Sequence, residues 1–171
     1  MKVLNRLLVL AIAPTVLVGC QKKSSSLKQV TYEEFHTKAV EAKRIRPTCG
    51  YTKVVVTGSL DESSNIDYTF DVEDGEVDFD TSESSSYLER LAASIASLKA
   101  EDFLLGYEST EWYVGSSGFK IVFHERPIPE GAGNGGSEMK EIAEFNKYGQ
   151  ATSYYYMSGA YVSADLKIKW S

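Results

Sequence analysis

The 171-residue chain is poor in the residues that build metal clusters and disulfide scaffolds, with two cysteines, two histidines and four prolines. So few thiols and imidazoles exclude a zinc cluster or a disulfide framework. Basic charge is scarce as well. Eighteen lysines and arginines stand against 24 aspartates and glutamates, for a net charge of −6, the reverse of the basic patch or stripe that marks a nucleic-acid binder. No apolar run approaches the roughly 20 residues of a membrane-spanning helix. What the chain does have is ordinary globular stock, 43% hydrophobic and 25% charged, together with 11 tyrosines.

The N-terminus reads as an address. Lys2 and Arg6 form a positive start, and Leu7 to Val18 is a mostly apolar, uncharged run of 12 residues containing Pro14. That length matches the h-region of an export signal. The run ends in Leu17-Val18-Gly19-Cys20, and this Leu-x-Gly-Cys ending resembles the lipobox of bacterial lipoproteins. The resemblance implies cleavage before Cys20, a diacylglycerol on its sulfur, and often a further acyl chain such as palmitate on the new amino group. Each buried methylene contributes about 0.8 kcal/mol, so two or more chains hold a protein stably at a bilayer. The other reading is an ordinary secretory signal with an incidental cysteine.

Three segments are therefore expected: a cleaved signal over 1–19, a lipidated Cys20 with a flexible tether to residue 29, and a single domain over 30–171. The tether carries Lys22, Lys23 and Ser24-Ser25-Ser26, a composition that cannot bury apolar surface. Without residues 1–19 the chain keeps 16 basic and 24 acidic side chains, a net charge of −8. An anionic bilayer repels such a domain, so the lipid and not the domain surface would hold it. Gln21 follows the cysteine where an aspartate is associated with inner-membrane retention. The expected location is the extracytoplasmic face of a cell membrane or outer membrane.

Within the domain, Thr31 and Glu34 have capping-box spacing, and Val30 and Phe35 occupy the two staple positions around that cap. Tyr32, Phe35, Ala39, Ala42 and Ile45 make one helical stripe, closed by Pro47. Period-2 patterns follow over 52–60 and 66–73. Asp74-Gly75 signals a type I′ hairpin with Val72 opposite Val77 and Phe70 opposite Phe79. Ser86 and Glu89 repeat the capping-box spacing, ahead of a stripe of Leu88, Leu91, Ala92, Ile95 and Leu98. Strand patterns then pair Trp112 and Val114 with Phe119, Ile121 and Phe123, and recur near 139–145, 150–157 and 160–169. Helices and strands do not alternate. The expected fold is α+β, a curved and largely antiparallel sheet of about eight strands with two helices packed on one face.

Few constellations promise chemistry. The hairpin register sets Glu73 opposite Glu76 and Asp71 opposite Asp78, like-charge pairs that need an offset, either neighbouring lysines and solvent or a divalent cation. Gly131, Gly133 and Gly136 fit a dinucleotide fingerprint literally, but no strand leads into them. Cys49 has no base at a recognisable spacing, and the serine clusters lack a nucleophile elbow. His36 and His124 cannot hold a metal alone. No catalytic residue, cofactor or metal is assigned, and the chain is expected not to be an enzyme.

The tyrosines are the more informative feature. Tyr154, Tyr156 and Tyr161 are expected on one face of the terminal hairpin, with Ala151, Ser153, Tyr155 and Val162 on the other, which makes both faces partly apolar. Such strands are sandwiched between layers or line a cavity. In element order the domain resembles the lipoprotein-carrier half-barrels, and Phe145-Asn146-Lys147-Tyr148-Gly149 echoes a turn those proteins use. The resemblance implies an apolar groove between sheet and helices. Leu91, Ile95, Leu98, Tyr154 and Tyr156 are the expected groove residues for a lipid or other apolar ligand. The alternative is an envelope module that binds a protein or glycan through the tyrosine-rich face.

Overall fold

The computed structural model describes residues 27–61, 64–79, 86–104, 109–125 and 138–171. The signal segment, Cys20, the tether through Ser26 and the loop with Gly131, Gly133 and Gly136 lie outside the described residues. Nine strands form one sheet: β1 (Lys28–Val30), β2 (Lys53–Leu60), β3 (Ser64–Glu73), β4 (Glu76–Asp78), β5 (Thr110–Gly115), β6 (Gly118–Glu125), β7 (Met139–Asn146), β8 (Ala151–Ser158) and β9 (Tyr161–Trp170). They lie in the order β1-β5-β6-β7-β8-β9-β2-β3-β4, and every neighbouring pair is antiparallel. The helices are α1 (Tyr32–Ile45) and α2 (Tyr87–Ala96). This is the expected α+β sheet, with one strand more than expected. Lys28 and Gln29, expected in the tether, pair with Val114 and Tyr113 as the edge strand β1. The backbone bonds of the β5 edge outweigh the polar composition of so short a segment.

Both helices start where the caps place them. The Thr31 hydroxyl accepts from the Glu34 N–H at 3.3 Å, and the Ser86 hydroxyl accepts from the Glu89 N–H at 3.2 Å. Helix α1 buries Phe35, Ala39 and Ala42, and Phe35 packs on Trp112 with ring centroids 4.8 Å apart and on Phe119 at 5.6 Å. Helix α2 buries Ala92, Ala93, Ile95 and Ala96. The α1 stripe ends differently from expectation: Ile45 is 48% exposed and Arg46 is buried. At ~100° per residue, Ile45 points about 80° away from Phe35 and Arg46 only about 20°. A 3₁₀ turn at Arg46–Thr48 then ends the helix.

The Asp74-Gly75 hairpin has the expected register, with Asp71, Val72 and Glu73 opposite Asp78, Val77 and Glu76. Both turn residues have positive φ, 49° and 79°, as a type I′ turn requires. Phe79 meets Phe70 edge-on at 5.4 Å.

Strand β8 departs from simple alternation. Its ladder with β7 skips Thr152, because Glu144 pairs with Ser153 and Phe145 with Ala151. A second irregularity lies between Tyr156 and Met157 on the β9 side. Each bulge inserts a residue and changes the parity of the side chains. Ala151, Tyr154 and Tyr156 consequently share the helix-covered face, where Tyr154 pairs with Leu166 and Tyr156 with Ala164. Tyr161 is 68% exposed. The expected face of Tyr154, Tyr156 and Tyr161 together does not form; Tyr154 and Tyr156 face the helices, and Tyr155, paired with Ile142, lies on the opposite face.

The registers line up two rows across the inner face. One runs Val30, Trp112, Ile121, Ala143, Tyr154, Leu166. The next runs Thr110, Phe123, Glu141, Tyr156, Ala164, Leu60. Helices α1 and α2 cover this face, and the core cluster includes Phe35, Val54, Val56, Trp112, Phe119, Leu166 and Ile168. Deleting a ring such as Phe35 from a core of this kind costs roughly 3–5 kcal/mol. No helix among the described residues is long and apolar enough to cross a membrane.

Candidate functional site

Two features carry charge on the apolar inner face, one at each end of it. The first joins the end of α1, the β3–β4 turn, the segment after α2 and the β7–β8 turn. The Arg46 guanidinium donates to both oxygens of Glu101 at 2.7 Å, to Glu76 Oε1 at 2.9 Å and to the Tyr148 carbonyl at 3.0 Å. Lys99 Nζ lies 2.9 Å from Glu76 Oε2 and 5.3 Å from the centre of the Trp170 ring. Gln150, fully buried, donates to the Gly75 carbonyl at 2.7 Å and lies 3.9 Å from Cys49 Sγ. Gly75 is required here on two counts. Its φ is 79°, and a Cβ would meet Arg46 Cγ at 2.7 Å.

The four charges of this cluster cancel. Burial drives the Glu76 carboxyl upward, but Lys99 and Arg46 more than reverse this and hold it below the usual carboxylate range. Burial pulls the Lys99 ammonium below its ordinary value, with Glu76 opposing. Burial works against the Arg46 charge too, yet Glu101 and Glu76 leave it raised. Each charge of this set has an opposite partner, Lys99 Nζ by charge contact without an aligned hydrogen bond, and the set fastens distant segments together. It also answers the like-charge pairs of the hairpin: Glu76 is held by Arg46 and Lys99, and Asp71 by Lys53 at 2.6 Å. Among the described residues no group of metal-ligating side chains is arranged to hold an ion.

The second feature is an apolar cavity of about 80 Å³ at the opposite end of the inner face. Phe103, Leu104, Thr110, Trp112, Ile121, Phe123, Glu141 and Ala143 line it. The single charged side chain of this lining is Glu141, flanked across the ladder by Phe123 on β6 and Tyr156 on β7's other side. Cross-strand neighbours stand with Cβ atoms roughly 4.5–5.5 Å apart, so the carboxylate is set among rings. Burial first, and then the charge and hydrogen bond of Glu141, push the Tyr154 phenol well above its ordinary range, so it remains a donor to the carboxylate. Leu104, 74% exposed, stands at the rim.

The expected groove residues are distributed differently. Ile95 is buried in the core, and Leu91, Leu98, Tyr154 and Tyr156 pack at its margin. None of the five is in the lining of the Glu141 cavity, although Tyr156 and Tyr154 adjoin Glu141. Cys49 is a half-buried free thiol. His36 packs beside Tyr32, 5.6 Å between ring centroids, and His124 pairs with Lys140.

Sequence reasoning missed Glu141, Arg46, Lys99, Glu101 and Gln150. Two of these carried a signal. Alternation in β7 puts Glu141 on the face of Ala143 and Phe145, a charge at an apolar position, and Arg46 continues the Phe35–Ala39–Ala42 stripe. No protein family's sequence pattern matches the chain, and neither a curated protein nor a solved structure shows significant similarity to it.

Proposed function

We propose that this chain is a lipid-anchored, extracytoplasmic binding lipoprotein, without enzymatic activity, that takes a lipid or other apolar ligand against the helix-covered face of its sheet. The Leu17-Val18-Gly19-Cys20 ending supports the anchor. The ring-lined cavity at Phe103, Trp112 and Phe123 is the observation that carries the binding role. Its 80 Å³ is small beside the roughly 300–1,000 Å³ of a site that encloses a whole small molecule, so it receives one end of a ligand. The rest runs outward past Leu104. The alternative, a protein or glycan partner on a tyrosine face, draws support from the exposure of Tyr161, but Tyr154 and Tyr156 point the other way.

Two measurements test this reading. Metabolic labelling with palmitate should mark the wild-type chain and not Cys20→Ser, and Cys20→Ser should leave the membrane fraction. Native mass spectrometry of the full chain released from membranes should show a stoichiometric lipid-sized adduct beyond the anchor. A clean apo mass that persists after incubation with envelope lipids rejects the carrier role.

A further inference from the structure

Resting on the reading of the inner face as an apolar-ligand site, we propose that the Glu141 pocket is a subsite for an organic ammonium group, so that the ligand is a cationic amphiphile. Charge complementarity is the first argument. Among the described residues Glu141 is the one charged residue in the cavity lining, and the ion pairs among those residues do not include it. At the other end of the same face the chain matches each inward charge with an opposite one. Here no described residue supplies the matching charge, and the proposal assigns it to the ligand.

Wall chemistry is the second argument. Trp112, Phe103 and Phe123 surround the space, and ring faces attract cations, most strongly when water is displaced. Rings on several sides with a carboxylate on one make a cage for an alkylated ammonium. An anionic head would meet the Glu141 charge, and an uncharged one would desolvate the carboxylate with nothing in return. Coordination is the third. An ionised carboxylate has about four acceptor positions, and Tyr154 uses a hydrogen bond on one side. One phenol cannot occupy all of these positions, and the remainder are open to a ligand. The volume fits an ammonium head with its substituents, with Ile121 and Leu104 meeting the first methylenes of the tail.

The test is titration calorimetry of the full chain in a neutral detergent with three probes of one tail length: hexyltrimethylammonium, hexanol and hexyl sulfate. The cation is expected to bind at least tenfold more tightly than the alcohol, and the sulfate more weakly than either. Glu141→Gln should abolish the advantage of the cation and leave the alcohol unchanged. Glu144→Gln, on the outer face of the same strand, should change none of the three. Equal affinity for cation and alcohol in the wild type, or an advantage that survives Glu141→Gln, overturns the ammonium subsite and leaves the apolar-ligand reading standing. No binding of any probe overturns both. The wild-type comparison decides the matter even if Glu141→Gln fails to fold.

Discussion

The inner face of the sheet carries charge at both ends, and the two ends handle it in opposite ways. Around Arg46 the charges are equal in number, in direct contact and backed by carbonyls, and Arg46 and Glu101 are buried. Around Glu141 a carboxylate lies among rings, with the Tyr154 phenol as its neighbour, in the lining of a cavity. A buried charge is tolerated only when paired and hydrogen-bonded. At the first end every charge finds its opposite within the chain. The second, around the half-buried Glu141, has no opposite charge among the described residues, and the proposed ligand would supply it. Polarity in a core is therefore informative through its balance, and the imbalance marks the place to look for a ligand.

Breaking the balanced end should have the largest effect. Arg46→Ala leaves Glu101 buried without a partner and is expected to cost about 3–5 kcal/mol, read as a lowered midpoint in urea unfolding. The double change Arg46→Met with Glu101→Leu removes both charges and should recover most of that loss. If it recovers nothing, the hydrogen bonds to Tyr148 and Glu76 carry the cluster, and the charge balance does not.

Acid should reach the same end next. Glu76 titrates below the ordinary carboxylate range when folded, so its contribution to stability is present above the unfolded value and is lost as pH falls through the folded one. The melting temperature should drop on acidification below about pH 4, and Arg46→Ala should make the drop shallower. An equally steep drop in that variant would put the acid sensitivity elsewhere.

Glu141→Gln should change stability by less than about 1 kcal/mol, and in the favourable direction. The amide keeps an acceptor for Tyr154 while removing a charge from apolar surroundings. A loss as large as that of Arg46→Ala would make Glu141 part of the internal framework and erase the difference between the two ends. The smallest effect is expected from Glu144→Gln, whose partner Lys120 lies 3.0 Å away on the outer face. Partly exposed pairs of this kind contribute about 0–1 kcal/mol, and a melting curve close to wild type would set the scale for the other three.

Much of the fold was legible because local rules and global packing agree. Thr31 and Ser86 begin helices by the same hydrogen bond that their spacing to Glu34 and Glu89 announces, and Asp74-Gly75 fixes a register that its flanking valines require. The β8 faces were misread for a physical reason. A bulge is a two-strand event, and nothing in Ala151–Ser158 alone says that Thr152 is skipped by β7. Glu101 and Gln150 were unreadable in the same sense: Glu101 is paired by Arg46, 55 residues earlier, and Gln150 by the carbonyl of Gly75, 75 residues earlier. The Glu141 cavity was half legible, since the parity of β7 shows the carboxylate facing inward but not the gap beside it.

The position of β9 has a kinetic consequence. This strand lies in the middle of the sheet, holding β8 on one side and β2 on the other, and it joins Val54 to Trp170 across most of the sequence. Until β9 is available, the β2–β3–β4 meander and the β5–β8 meander are separate pieces with unpaired edges that face each other. Bringing them together pays the entropy of a long loop before the contacts return anything. Their joining is the expected rate-limiting event of folding, a slow phase that removing β9 would abolish, leaving two incomplete sheets exposed to edge-to-edge aggregation.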